Sequence, residues 1–358
     1  MLPRQFEVRK DDLATSRMNE VSVARLGDGD VLVDVERFAL TANNITYGVV
    51  GERIGYWKFF PADEGWGVIP VWGFAQVTES RHPEIDVGER LYGYFPTGSH
   101  LVMRPDKLHP DRFTDDAERR AALPAVYNSY ARTGGESFYE PGMDNERMLL
   151  FPLYATSYCL FDFLDDNGFF GTEQVIVVSA SSKTAIGLAY AMDMHDCEIA
   201  CVGLTSPGNL DRVRTLGLYD AVADYESLAD IDASLPSVII DMSGNGSVLS
   251  DLHALLGDNM RYTSNVGVTH YTQNRMGPHF NRERSAMFFA PGHIAKRGKE
   301  WGPGEFQKRA YAFWRNASLM SRDWLRIETT QGLDALPQVY ATLLAGRVTP
   351  DIGIVVSV

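Results

Sequence analysis

The sequence predicts an α/β fold in two domains, a β-rich one followed by a doubly wound parallel sheet. Three observations carry that prediction. At 358 residues the chain is long for a single domain, since domains usually hold ~100–200 residues. Residues 1–110 contain short alternating strands punctuated by Gly or Pro, at roughly the ten-residue spacing of a small barrel or sandwich. From about residue 170 onward, continuous apolar strands alternate with helical runs. Intervals of roughly twenty residues between such strands mean a parallel sheet covered on both faces.

Taken in order, residues 31–36 read as a strand, 68–71 and 75–78 as two shorter ones, and 86–95 as a turn leading into another. Residues 111–150 are more polar. Asp115 to Arg120 reads as the start of a helix, and Tyr127-Asn128-Ser129-Tyr130 is an aromatic segment. A buried strand at 175–179 is followed by a helix over 184–194, and a second strand occupies 199–204. Pro207 then opens a helix at its favoured first position. Residues 238–242 are a third strand, 248–256 a helix and 260–265 another strand. The stretch 268–325 breaks the rhythm with His, Asn, Arg and Trp, after which 332–344 reads as a helix and 352–358 as a terminal strand. That strand is expected to return to the first domain and make it discontinuous. There is no internal repeat.

The charge balance narrows the function classes. Lys and Arg number 33 against 47 Asp and Glu, a net charge of −14. So acidic a chain repels phosphate backbones and anionic lipid, which argues against nucleic-acid and membrane partners. Three cysteines, Cys159, Cys197 and Cys201, cannot build a disulfide framework and fit a reducing compartment. The first residues mix charges without the apolar run of a secretory signal. The uncharged stretch 148–161, which no other exceeds in length, is too short to span a bilayer. The expectation is a cytoplasmic protein with a small-molecule substrate, its assembly as a homodimer left open.

The loop after the 175–179 strand is the most informative segment. At such a place a helix N-terminus presents amides and a dipole to the pyrophosphate of a dinucleotide. Only Gly187 stands at a glycine position of the G-x-G-x-x-G fingerprint, and Thr184 and Ala185 stand where glycines usually allow close backbone approach. The hydroxyls of Ser181, Ser182 and Thr184, with the Lys183 ammonium, would supplement the missing glycines; the bland reading is an ordinary turn with an exposed lysine. A phosphate loop of the G-x-x-x-x-G-K-[ST] kind is excluded, because neither required glycine is present. The second strand ends Thr205-Ser206-Pro207-Gly208-Asn209, with no acid before Asp211 and with Arg212 and Arg214 beyond. That end favours the 2′-phosphate of NADP over the free ribose diol of NAD, although Thr205 and Ser206 could equally cap the helix.

With these residues in hand, the chain resembles the medium-chain dehydrogenase/reductase superfamily, in its zinc-free quinone oxidoreductase and enoyl reductase branch. More closely, it is similar to a bacterial and fungal domain-of-unknown-function family. The recurring pieces of that family match Tyr127-Asn128-Ser129-Tyr130, the Ser181 to Ala185 loop, and Phe288-Phe289-Ala290-Pro291 through Lys296-Arg297 to Trp301-Gly302. The resemblance implies a GroES-like β-barrel domain over 1–130 and 325–358 carrying the substrate. It implies a Rossmann domain over 150–324 binding NADP(H), with the active site in the cleft between. Asn43 to Gly51 resembles the loop at the nicotinamide, with Thr46 in place of the usual Asp. Thr156 lies in a segment that relatives place near the nicotinamide ribose, and Tyr225 ends a stretch lying near the adenosine phosphate. Asp241 to Gly244 resembles a D-x-V-G turn, and Ser243 and Gly267 are expected at the cofactor with it.

No cysteine or histidine pattern suits zinc, no Tyr-x-x-x-Lys pair occurs, and no G-x-S-x-G elbow appears. Reduction of C=C or C=O then needs an NADPH hydride and a group that polarises or protonates the acceptor. Tyr47 and Tyr56, which follow the Asn43 loop, are the expected proton donors, with Asn43 holding the substrate carbonyl or the ribose. Tyr127, Asn128, Tyr130 and Tyr154 are expected to line the pocket, or else to form a structural hydrogen-bond network. The function expected is an NADPH-dependent reductase of an activated alkene, quinone or carbonyl. The alternative is an NADP(H)-binding sensor or structural protein without turnover.

Overall fold

The computed structural model describes residues 2–121, 123–267 and 276–358; residues 268–275, part of the stretch that breaks the sequence rhythm, lie outside the described residues. The chain divides into two compact units, one of Met1–Leu149 with Leu325–Val358 and one of Leu150–Trp324.

The first unit opens with β1 (Arg4–Arg9), β2 (Ser16–Glu20), β3 (Val31–Leu40), helices α1 (Ala42–Val49) and α2 (Gly51–Ile54), and the two-residue β4 (Trp66–Gly67). It continues through β5 (Pro70–Ser80), β6 (Arg90–Pro96), β7 (His100–Met103), β8 (Pro105–Asp106), β9 (Arg112–Asp115) and β10 (Ser129–Arg132). The two strands expected at 68–71 and 75–78 are in fact one, β5. Gly73, which reads in sequence as punctuation, is where β3 comes close: a Cβ there would stand 2.5 Å from the Arg37 carbonyl oxygen. Such an approach is a usual reason for glycine inside a strand. The helix expected from Asp115 shrinks to a single 3₁₀ turn, Glu118–Arg120. Asp115 instead ends β9, and its carboxylate lies 3.3 Å from the Arg120 guanidinium, both side chains fully buried. A solvent-facing helix could not bury that pair.

Helix α3 (Asp144–Asp166) crosses the boundary between the units. The sequence hides it, because Pro152 stands in its interior and an interior proline costs a helix about 3 kcal/mol. Burial offsets this: Leu149, Leu150, Leu153, Tyr154, Tyr158, Cys159, Leu160 and Leu164 are all buried, at ~1.5–3 kcal/mol for each large apolar side chain.

The second unit continues with β11 (Gln174–Val178), α4 (Lys183–Met194), β12 (Ala200–Thr205), α5 (Leu210–Leu216), β13 (Ala221–Asp224), β14 (Ser237–Asp241), α6 (Gly246–Leu256), β15 (Met260–Asn265) and β16 (Ser285–Met287), then α7 (Ala290–Glu300) and α8 (Glu305–Ser321). Its sheet runs β13-β12-β11-β14-β15-β16, parallel throughout. Ile176, Val178, Val202, Leu204, Ile239, Leu249 and Leu252 form its core. The helix expected to open at Pro207 starts later: Pro207–Asn209 is a 3₁₀ turn that leads into α5.

The chain then returns to the first unit with β17 (Arg326–Gln331), α9 (Leu336–Leu344) and β18 (Ile352–Ser357). The large sheet runs β17-β18-β3-β5-β6-β10-β9-β8, with β7 also on β3, and β2-β1-β4 form a smaller sheet. Phe6 N–H donates to the Thr97 carbonyl at 2.7 Å and Ser99 N–H to that of Arg4 at 2.9 Å, tying the two sheets together. The fold class is thus α/β, a GroES-like β-barrel unit and a Rossmann doubly wound unit. Among the described residues no helix is long and apolar enough to cross a membrane.

Candidate functional site

In the second unit, strand order reverses between β11 and β14. The carboxyl ends of strands at such a reversal flank the crevice where open parallel sheets take their ligands. The loop after β11 holds Ser179 at φ +65°, a left-handed conformation that costs a non-glycine residue ~1–2 kcal/mol. It is pinned by Ala180 N–H to the Leu204 carbonyl at 3.0 Å, Ser182 N–H to the Ser179 carbonyl at 2.8 Å, and Tyr219 Oη to the Ala180 carbonyl at 2.8 Å. Ser182 is the N-cap of α4 and accepts from Ala185 N–H at 3.3 Å. The amides of Lys183 and Thr184 belong to the first turn of α4, where a helix supplies no carbonyl of its own. Thr205 Oγ1 donates to Ser181 Oγ at 3.4 Å, joining the end of β12 to this loop. Ser206 and Asn209 meet through Asn209 Nδ2, which donates to Ser206 Oγ at 3.1 Å.

Across the reversal, buried Asp241 ends β14 and accepts from Ser243 N–H at 2.8 Å, Ser243 Oγ at 2.7 Å and Gly244 N–H at 3.0 Å. Burial wins over those bonds and pushes its carboxyl up to about 6. Ser243 is therefore occupied in shaping this turn. Gly267 is a close backbone approach, where a Cβ would lie 2.4 Å from the Met242 carbonyl oxygen. The Tyr225 phenol is pushed up to about 12, chiefly by burial and then by Asp241, with Ser179 hydrogen bonding in the opposite direction. Two further expected residues make packing and helix contacts. A Cβ at Gly187 would stand 2.5 Å from Ser157 Oγ and 2.6 Å from Tyr154 Cδ1, so this glycine lets α4 lie against α3. Thr156 Oγ1 donates to the Pro152 carbonyl at 2.9 Å. Ser179 and Asp241 carry the loop geometry and were absent from the expected cofactor residues; nothing in residue type marks a serine for a positive φ.

In the first unit the Asn43 segment is not a loop but helix α1. Asn44 starts it: its side-chain oxygen accepts from Thr41 N–H at 2.7 Å, while its Nδ2 donates to the Pro70 carbonyl at 2.8 Å and ties the helix to β5. One turn apart on α1, Asn43 Nδ2 donates to Tyr47 Oη at 2.8 Å. From β5, Trp72 Nε1 donates to the same oxygen at 3.4 Å. The rings of Tyr47 and Tyr56 lie 4.7 Å apart, those of Tyr94 and Tyr127 4.8 Å, and those of Trp72 and Tyr94 5.2 Å. The Tyr56 and Tyr127 hydroxyls share a hydrogen bond of 3.0 Å. Tyr47, Tyr56 and Tyr94 are buried, while Asn43, Trp72 and Tyr127 are half-buried. Desolvation holds the phenols of Tyr47, Tyr56, Tyr94 and Tyr127 above their ordinary range, so all stay protonated at neutral pH.

The fold thus gathers Asn43, Tyr47, Tyr56 and Tyr127, and adds Trp72 and Tyr94. These two are register partners across β5 and β6. Their sequence signal was aromatic alternation, Trp72 with Phe74 and Tyr92 with Tyr94, two residues apart on each strand. The other three expected pocket residues make buried hydrogen bonds. Tyr130, fully buried, donates to the Tyr94 carbonyl at 2.5 Å and accepts from Arg120 Nη1 at 2.7 Å, and Asn128 Nδ2 donates to the Arg120 carbonyl at 3.1 Å. Tyr154, equally buried, shares a 2.6 Å bond with Ser321. Among the described residues no group of three or more His, Cys, Asp or Glu side chains could hold a metal ion.

The chain is similar in fold to CurA of Vibrio vulnificus, solved in complex with NADPH, at 14% identity and a TM-score of 0.65 over 99% of this chain and 98% of that one. It is similar also to the quinone oxidoreductase of Coxiella burnetii, at 14% identity and 0.54 over 100% of both chains. The yhdH oxidoreductase of Salmonella enterica, in complex with NADP, gives 13% and 0.54 over 99% of both. Identities this low make the likeness one of fold. A family model described as "Protein of unknown function (DUF2855)" matches residues 38–349. No curated protein matches.

Proposed function

We propose that this chain, which belongs to the DUF2855 family and has the medium-chain dehydrogenase/reductase fold, is an NADPH-dependent, zinc-independent reductase of an activated alkene, quinone or carbonyl. The observation that carries the reading is the crevice at the β11/β14 reversal. Its left-handed Ser179, capped α4 N-terminus and ring of hydroxyls match what a diphosphate requires. Two fold relatives were solved with NADPH and NADP, which supports the same cofactor here. Ser181, Ser182, Lys183 and Thr184 would hold the diphosphate, and Thr205, Ser206 and Asn209 the 2′-phosphate. Tyr225, Ser243 and Gly267 shape the crevice around it. When bound, NADPH supplies a hydride to an electrophilic carbon. A tyrosine of the aromatic cluster, Tyr47 or Tyr56, supplies the proton. Apart from Asn43, that cluster offers phenols and an indole, which suits a neutral, planar acceptor.

The test is titration of the full-length protein with NADPH and NADH, followed by turnover with a panel of enones, quinones and aldehydes. NADPH is expected to bind at least tenfold more tightly than NADH. Lys183→Ala should weaken NADPH binding by ~1–3 kcal/mol, the range for a charge-assisted hydrogen bond. Equal affinity for the two cofactors would count against the 2′-phosphate assignment. Tight NADPH binding with no acceptor reduced would leave the sensor reading standing in place of the reductase.

A further inference from the structure

The reading above leaves two tyrosines as candidates for the proton donor. We propose that the donor is Tyr47, and that Asn43 and Trp72 are positioning residues whose N–H groups occupy the acceptor side of its hydroxyl. This rests on the reductase reading for the reaction, but not for the hydrogen bonding itself.

A phenol oxygen has one proton to give and two lone pairs. Two N–H groups donate to the Tyr47 oxygen, Asn43 Nδ2 at 2.8 Å and Trp72 Nε1 at 3.4 Å. An indole nitrogen can only donate, so the direction of the Trp72 bond is fixed by chemistry. With its lone pairs engaged, the Tyr47 hydroxyl turns its proton away from both, toward an acceptor. Tyr56 is arranged differently, because its hydroxyl pairs with that of Tyr127 at 3.0 Å. That single bond uses the proton of one of the two phenols, and either hydroxyl can be its donor; neither oxygen is held by a pair of N–H groups as that of Tyr47 is.

The same two donors also serve the step after proton release. The Tyr47 O–H bond breaks, and its proton goes to the substrate atom holding the electron pair left when the reduced π bond opens. The resulting phenolate would be costly in a buried site unless hydrogen-bonded. Asn43 and Trp72 already point N–H groups at that oxygen, and water returns the proton to complete the cycle. Burial keeps the phenol loaded with its proton at neutral pH, while the two N–H groups and the neighbouring Tyr94 hydroxyl favour the ionised form. The site is set up for brief ionisation rather than a resting phenolate.

The arrangement depends on α1 being seated on β5, which is the part played by Asn44 on the Pro70 carbonyl. Pro70 lies two residues before Trp72 in the same strand, so the bond that anchors the helix also sets the indole's distance from Tyr47.

The experiment replaces Tyr47 with 3,5-difluorotyrosine in the full-length protein, bringing its ionisation into an accessible pH range. Fluorine NMR then follows the titration in otherwise wild-type protein, in Asn43→Ala and in Trp72→Phe, the last retaining an aromatic ring. Each variant is expected to raise the phenol pKa by about half to one unit, a three- to tenfold loss in the ionisation equilibrium per donor removed. In turnover, kcat should fall at least tenfold in Tyr47→Phe and by a smaller factor in the two positioning variants. NADPH affinity should be unchanged in all three, and Tyr56→Phe should lose less than Tyr47→Phe. An unmoved fluorotyrosine pKa in both positioning variants would overturn the proposal, as would a Tyr56→Phe loss exceeding that of Tyr47→Phe. Failure of the wild type to bind NADPH would sink the reductase reading instead. The fluorine titration needs no cofactor and would still decide the hydrogen bonding.

Discussion

At the scale of single residues, two buried groups in the second unit respond to pH in opposite directions. His253 is locked neutral: Asn281 N–H donates to its Nδ1 at 2.8 Å, so Nε2 carries the proton and meets Thr263 Oγ1 at 2.9 Å, with Phe280 stacked 4.8 Å away. Burial pulls its pKa from 6.5 down to about 4. As pH falls through that window the unfolded chain takes up a proton that the folded one refuses. Stability therefore drops, by on the order of 2 kcal/mol once solvent screening is allowed for. Asp241 opposes this. Its carboxyl titrates at about 6 in the fold against 3.8 outside it, so the stability it contributes is present at low pH and is lost as pH rises through 6. His253→Asn keeps an acceptor for Asn281 but cannot charge. It should be less stable than wild type by ~1–2 kcal/mol at pH 7, with the deficit narrowing toward pH 4 in urea melts. A deficit constant across that range would show that His253 does not titrate with folding.

At the scale of elements, the α3–α4 contact decides how the proposed cofactor loop is held. Ser157 Oγ donates to the Thr184 carbonyl at 2.7 Å in the first turn of α4, and the space beside it exists because residue 187 lacks a Cβ. Gly187→Ala would gain ~1 kcal/mol of helix propensity. Pushing α4 off Ser157 and Tyr154 should cost ~1–3 kcal/mol, the range for an overpacked core. The expected outcome is a lower melting temperature together with weaker NADPH binding, since the displaced turn carries Ser182, Lys183 and Thr184. An unchanged melt would mean that the two helices separate freely. In α3 itself, buried apolar side chains outweigh Pro152, a case where tertiary packing overrides local propensity.

At the scale of the whole molecule, the chain closes its first unit with its last strand. β18 lies between β17 and β3, and Ile352, Ile354, Val355 and Val356 are buried there. At ~1.5–3 kcal/mol each, those four side chains are worth about as much as the net stability of a domain, ~5–15 kcal/mol. Deleting residues 352–358 should therefore abolish the cooperative melt of the first unit rather than fray its edge. Circular dichroism and hydrogen exchange on the truncated chain would check this, and a native-like melt would show the strand to be dispensable.

The sequence by itself determined what depends on neighbours along the chain. Apolar runs that match β11, β14 and β15, the helix at α6, and a hydroxyl-rich turn before α4 are all local patterns. Local sterics and the period of hydrophobic residues suffice to write them. It also named Tyr47 and Tyr56 as expected proton donors and Tyr127 as a pocket residue, without distinguishing Tyr127 from Tyr130 and Tyr154. Only the tertiary structure decided that Tyr127 joins the cluster while Tyr130, three residues on, is buried against Arg120. It alone set Trp72 opposite Tyr94, turned Asp115 into the end of a strand, and carried α3 through a proline. Strand register and shared apolar burial bring in partners distant in sequence, and even the Asp115–Arg120 pair, five residues apart, is buried only by the strands around it. Those energies appear only once the chain has closed on itself, and no window of neighbouring residues contains them.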